Sequence, residues 1–160
     1  MNKFIEKCES KIKDKFKIID EVAYFNQVKV LNAFHDCKIS LRHFNPTSGY
    51  GYGDEGRDTL GTLYAKAFGA ESGIVSPHLL SGTHALTVAL FGLLRPKDTL
   101  FCISGMPYDT IRGVIFGNNN GSLKDFGINF DYCNLNEQGK FDYEAIKSKF
   151  NDKVKVVYIQ

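Results

Sequence analysis

Residues 74–103 read "IVSPHLLSGTHALTVALFGLLRPKDTLFCI". An apolar run, Ile74 to Leu80, ends at four small or polar residues, Ser81-Gly82-Thr83-His84. A second apolar stretch, Thr83 to Leu94, has the length of a buried helix, and Arg95-Pro96-Lys97-Asp98 stops it. A third run, Thr99 to Ile103, is short and reads as a strand. Strand, helix and strand in succession are the signature of an α/β unit.

The same rhythm continues toward the C-terminus. Tyr108 to Phe116 predicts a short helix and "GNNNGS", residues 117–122, a loop. Ile128 to Cys133 predicts a strand, Tyr143 to Phe150 a helix, and Val154 to Ile159 a strand. Strands separated by helices predict a mostly parallel sheet with flanking helices. The last strand has no helix after it to cover a face, so the chain reads as the N-terminal part of something longer.

Toward the N-terminus the period changes. Ile5, Cys8, Ile12, Phe16 and Ile19, then Val22, Phe25, Val28, Leu31 and Phe34, recur at three- and four-residue steps. This is an amphipathic helix, either one or two joined near Asp20. "NPTSGYGYGDEGRD", residues 45–58, holds four glycines and a proline and reads as a loop. Asp54 or Asp58 caps the next predicted helix, Thr59 to Phe68, which Gly69 ends. The expected organisation is an N-terminal helical segment, 1–44, and the α/β part, 45–160.

Bulk composition narrows the function classes. With 160 residues, 43% hydrophobic and 24% charged, the chain is long and apolar enough for a real core. A net charge of +2 is too small for a nucleic-acid surface. The early lysines (Lys3, Lys7, Lys11, Lys13, Lys15, Lys17) are interrupted by Glu6, Glu9 and Asp14, which suits a solvated helix face and no targeting peptide. The longest greasy run, Ala85 to Leu94, falls short of the roughly 20 residues of a membrane span. Cys8, Cys37, Cys102 and Cys133 are widely spaced and read as reduced thiols. The four histidines lack metal-ligand spacing, so no metal is expected. A cytoplasmic location fits these features.

Chemistry is expected where strands end and helices begin. There the helix dipole and unpaired N–H groups attract phosphate. Ser81-Gly82-Thr83 fits that place, with a glycine for close backbone approach and two hydroxyls; it is equally what an ordinary capped turn carries. "SGMPYDT", residues 104–110, follows the next strand and sets Tyr108 at a helix start, where a ring can stack on a flat ligand or simply be half-buried. The Tyr50, Tyr52 and Arg57 loop offers phenols and a guanidinium to an anion, or is only surface. An anion-ready loop beside an aromatic one suits a phosphorylated aromatic cofactor.

In this order the motifs "GYGYGDEGRDTL", "YAKAFGAE", "SGTHALTVALFGLLRPKD", "PYDT" and "GSLKDFGI" resemble pyridoxal-phosphate enzymes of the aspartate aminotransferase fold. More narrowly they resemble the cystathionine β-lyase and methionine γ-lyase branch, in the group of aluminium-resistance proteins. The likeness runs from Phe25 onward. It implies pyridoxal 5'-phosphate as cofactor, a carbon–sulfur lyase acting on a sulfur amino acid such as cystathionine or methionine, and a homo-oligomer, dimer or tetramer. It implies that Ser81, Gly82 and Thr83 hold the cofactor phosphate and that Tyr108 stacks on the pyridine ring. Tyr50, Tyr52 and Arg57 would reach the phosphate of a neighbouring subunit. The Schiff-base lysine and the aspartate facing the pyridine nitrogen are expected beyond residue 160, so no catalytic residue is assigned within this chain. Better-known lyases carry a small apolar run where this chain has Thr83-His84, which leaves the substrate open. An aminotransferase on the same cradle and a truncated, non-catalytic copy stay as alternatives.

Overall fold

Between Lys3 and Asp36 the sequence contains neither glycine nor proline, so nothing interrupts the helical ladder. A computed structural model, which describes residues 2–47 and 52–160, accordingly holds one continuous helix, α1 (Lys3–Asp36), with no break at Asp20. At about 1.5 Å per residue it is roughly 50 Å long. Asn2 caps it, its side chain accepting the Phe4 N–H at 3.1 Å. Lys38, at φ 51°, turns the chain away after the helix. Of all α1 residues only Ala33 is buried.

The chain divides into two units, residues 1–77 and 78–160. In the first, a 3-10 turn (Leu41–Phe44) and α2 (Glu55–Phe68) accompany α1. Helix α2 begins four residues before the expected Thr59. Of the two candidate caps it is Asp54 that acts, accepting the Arg57 N–H at 2.9 Å and the Thr47 hydroxyl at 2.9 Å. Those two bonds hold the Asp54 carboxyl below its ordinary pKa. Gly69 ends the helix at φ 65°, a left-handed position that costs glycine nothing.

The second unit runs α3 (Gly82–Leu93), β1 (Thr99–Cys102), α4 (Asp109–Phe116), β2 (Asn129–Tyr132), α5 (Tyr143–Lys149) and β3 (Val154–Tyr158). All three strands are parallel, in the order β2-β1-β3. Thr99 faces Asn129 and Cys102 faces Tyr132 on one side; Cys102 faces Tyr158 on the other. As the central strand, β1 has Leu100, Phe101 and Cys102 wholly out of solvent, at 0% exposure. Leu100 and Cys102 pack with Leu90, Leu94, Ile111 and Ile115 beneath α3 and α4. This is the α/β architecture expected from the alternation of apolar runs, preceded by an N-terminal helical segment.

Two local expectations are corrected. Residues 74–80 form no strand: Pro77 and His78 make a turn, Pro77 has no N–H for a ladder, and Ile74 and Leu80 are 87% and 82% exposed. Helix α3 is also less buried than its composition suggests, because Val88 and Leu93 remain exposed while Leu90 faces the core.

After α4 the chain makes a tight loop around one carboxylate. Asp125 accepts the N–H groups of Asn119, Asn120, Gly121 and Ser122 at 3.0–3.3 Å. Desolvation opposes its ionisation, but the four bonds outweigh that and keep its pKa below the ordinary value. On the far edge, Lys149 ties α5 to β2 through the Asp131 carboxylate at 2.8 Å and the Tyr132 carbonyl at 2.6 Å.

Candidate functional site

The C-terminal ends of β1 and β3 and the N-terminal ends of α3 and α4 come together within the second unit. Ser81 is the N-cap of α3; its hydroxyl accepts the His84 N–H at 3.1 Å, and its carbonyl accepts the Ala85 N–H at 3.0 Å. The Gly82 and Thr83 N–H groups find no protein partner among the described residues, as expected for the first turn of a helix. At Gly82 the backbone is ordinary helix. A Cβ built there meets nothing within 4 Å. Neither strain nor packing among the described residues therefore asks for glycine at this place.

The His84 ring closes the turn from behind. Its Nδ1 accepts the Leu80 N–H at 3.2 Å, which puts the ring proton on Nε2. Strand β1 leads into Ser104-Gly105-Met106-Pro107, and Gly105 sits at φ 102° with its N–H on the Cys133 carbonyl. Tyr108 follows as the N-cap of α4, without a side-chain capping bond. Its hydroxyl instead meets the Thr83 hydroxyl at 3.1 Å. The Tyr108 ring is half-buried, against the core. Thus Ser81, Gly82, Thr83 and Tyr108, singled out in two separate loops, lie around one point. The Ser81 hydroxyl caps the helix and the Thr83 hydroxyl faces Tyr108.

A second set of contacts was not visible in the sequence. Gln160, just beyond β3, accepts the Tyr108 N–H and the Tyr158 hydroxyl on its Oε1, at 3.2 and 3.3 Å. Its own N–H donates to the Ser104 hydroxyl at 3.0 Å. Burial pushes the Tyr158 phenol up in pKa, and the neighbouring Tyr108 and Cys102 add to it. The one available signal was position, since all these residues lie at or beyond the C-terminal ends of parallel strands.

The glycine-rich loop belongs to the first unit. Tyr50 lies outside the described residues. Tyr52 is 91% exposed. Arg57, in the first turn of α2, donates from Nε and Nη2 to the Asp58 carboxylate at 3.0 and 2.8 Å, and the bond to Asp58 raises its pKa further. It also lines a cavity of about 320 Å³ with Phe34, His43, Asp54, Leu60 and Leu63.

Among the lysines of the second unit, Lys97 sits in a turn at φ 81° and Lys124 donates to the Asn118 side-chain Oδ1 at 3.0 Å. Lys149 is held by Asp131, a bond that raises its pKa and keeps the amine protonated. A lysine that is to attack a carbonyl needs the opposite. Among the described residues no three His, Cys, Asp or Glu side chains gather to hold a metal ion. No helix among them is long and apolar enough to cross a membrane.

The sequence profile of methionine γ-lyase matches residues 1–160, the whole chain. The chain belongs to the methionine γ-lyase family. Solved structures share this fold. A carbon–sulfur lyase involved in aluminium resistance from Clostridium novyi NT is 47% identical and superposes with a TM-score of 0.93 over 99% of this chain and 39% of its own. A candidate cystathionine β-lyase involved in aluminium resistance from Listeria monocytogenes is 45% identical, with a TM-score of 0.94 over 100% of this chain and 41% of its own. The uncharacterized protein YnbB of Bacillus subtilis is 46% identical over 163 residues, 100% of this chain and 39% of its own. The chain therefore spans about two fifths of the length of these relatives.

Proposed function

We propose that this chain is the N-terminal part of a pyridoxal-phosphate-dependent carbon–sulfur lyase that acts on a sulfur amino acid. The observation that carries the proposal is the meeting of the Thr83 and Tyr108 hydroxyls at 3.1 Å, beside the open space at Gly82. It puts an anion-ready helix start and a half-buried phenol ring around one point. Family membership supplies the rest of the support.

The residues present fit the cofactor. The Gly82 and Thr83 N–H groups, left over by the helix, would bind its phosphate, and the α3 dipole would favour the negative charge. Glycine at position 82 leaves that space clear. The Tyr108 ring, fastened through its hydroxyl to Thr83, would lie against the flat ring of the cofactor. The Ser81 hydroxyl, which accepts the His84 N–H and so holds the turn in shape, keeps its own proton to donate to the phosphate. When bound, pyridoxal phosphate supplies an electron sink for the carbanion that forms when the substrate α-carbon loses its proton. In this chain Thr83 and Tyr108 would orient that sink, and departure of a thiol from the β or γ carbon would complete the elimination.

The division into a helical segment, 1–44, and the N-terminal part of a cofactor-binding domain, 45–160, belongs to the same proposal. So does a homo-oligomer in which Tyr50, Tyr52 and Arg57 serve the phosphate of a neighbouring subunit. The test is made on the full-length protein. Purified enzyme should show visible absorbance from bound cofactor and release thiol from L-cystathionine or L-methionine. Pyruvate as co-product marks β-elimination and 2-oxobutyrate from methionine marks γ-elimination. Cofactor-loaded protein that releases no thiol, but exchanges amino groups with a keto acid, would replace the lyase with an aminotransferase.

A further inference from the structure

The space around Tyr108 is organised by a residue that carries no charge and lies fifty-two positions away. The Gln160 side-chain carbonyl accepts the Tyr108 N–H at 3.2 Å and the Tyr158 hydroxyl at 3.3 Å. The Gln160 main chain is itself fixed, its N–H on the Ser104 hydroxyl at 3.0 Å. Ser104 follows β1, Tyr158 ends β3, and Tyr108 starts α4. Each of the three contacts therefore comes from a different element, and β1 and β3 are hydrogen-bonded neighbours. Tyr158 is buried and Tyr108 half-buried, so the acceptor is set between two groups that can move little.

We propose that Gln160 is a positioning residue for Tyr108. It fastens the tyrosine by its backbone, while Thr83 fastens the same residue by its hydroxyl at 3.1 Å. Held at both ends, the long axis of the ring keeps its place while packing against the core sets its plane, and a stacking ring is useful in proportion to how well it is placed. As the N-cap of α4, Tyr108 has no capping bond of its own, so without Gln160 its N–H loses its one protein acceptor among the described residues. The ligand chemistry involved is that of a flat heteroaromatic ring, and this part rests on the cofactor proposed above.

The experiment uses full-length protein and three variants. Gln160→Met keeps side-chain length but removes the acceptor; Gln160→Asn keeps the amide but withdraws it by one methylene; Gln160→Glu keeps an acceptor at the same reach. Two readouts are made. In cofactor-free protein, hydrogen exchange of the Tyr108 amide should speed up by about two- to tenfold in the Met and Asn variants, the loss expected for one neutral hydrogen bond, and should stay near wild type in Glu. In cofactor-loaded protein, visible circular dichroism per bound cofactor should fall in the Met and Asn variants and recover in Glu, with melting temperature measured alongside.

Amide exchange equal to wild type in both Met and Asn variants overturns the positioning role. Faster exchange with unaltered circular dichroism per bound cofactor leaves Gln160 a purely structural residue, which also overturns it. Wild-type protein that binds no cofactor sinks the proposed function instead, while the exchange measurement still decides whether Gln160 holds Tyr108. If the Met variant fails to fold, the Asn variant carries the comparison.

Discussion

Replacing Gly82 with alanine separates two demands that usually go together. Glycine costs a helix up to about 1 kcal/mol relative to alanine. At Gly82 the backbone is helical, and an added Cβ meets no atom within 4 Å. The cofactor-free Gly82→Ala protein should therefore be as stable as wild type or more stable, by up to about 1 kcal/mol. Cofactor binding should move the other way. The methyl group would enter the space proposed for the phosphate and disturb a charge-assisted hydrogen bond, which is worth about 1.5–3 kcal/mol. That corresponds to about tenfold to a hundredfold weaker binding. The assay is thermal unfolding of cofactor-free full-length protein, paired with titration of pyridoxal phosphate followed by visible absorbance. A dissociation constant within twofold of wild type would refute the phosphate cradle. A cofactor-free protein that is clearly destabilised would mean that the glycine answers to packing, and the reasoning from open space would fail.

Other outcomes can be checked with the same protein. Tyr108→Ala should weaken cofactor binding by about 1 kcal/mol or more, whereas Tyr108→Phe keeps the ring and should bind nearly normally. In a double-mutant cycle on cofactor-free protein, Thr83→Val and Tyr108→Phe should show coupling of about 0.5–1.5 kcal/mol, and additivity would deny the bond between the two hydroxyls. Ile111→Ala, which empties a wholly buried position between α4 and the sheet, should cost about 2–5 kcal/mol in denaturant unfolding. The folded-state pKa of Asp125 is lowered, so its contribution is present above the ordinary carboxylate pKa and is lost as pH falls through the folded value. Asp125→Asn should flatten the acid limb of the stability curve, and an unchanged acid limb would contradict the four-bond clamp.

The parts of the fold that sequence made readable are those decided locally. Ser81 before an apolar run marks the start of α3, Gly69 marks the end of α2, and Thr99 to Cys102 carries enough apolar side chains to be the centre of a sheet. Residues 74–80 have a similar composition and form no strand, because a strand is defined by what it pairs with and composition is silent about partners. Asp54 and Asp58 look alike as caps; the bond from Thr47 to Asp54 favours the first. In the candidate site, Ser81, Gly82, Thr83 and Tyr108 stood out because helix starts have a fixed chemistry, although no strand precedes α3. The contact between Thr83 and Tyr108 spans 25 positions, and those of Gln160 with Tyr108 and Ser104 span 52 and 56. No local pattern encodes contacts at such separations; only the completed sheet brings them together.

Helix α1 makes its hydrogen bonds from its own residues, so it can form as soon as it leaves the ribosome. It then shows Phe4, Ile12, Phe16, Ile19 and Phe25 to water. At about 5–20 residues per second, the 34 residues of α1 emerge within seconds, and the second unit follows only after a further delay. During that interval the nascent chain is a long rod with greasy side chains and little to bury them. Crowded translation of one message would set several such rods side by side. Expression yield should therefore depend on chaperone supply and growth temperature more than on the stability of the finished protein.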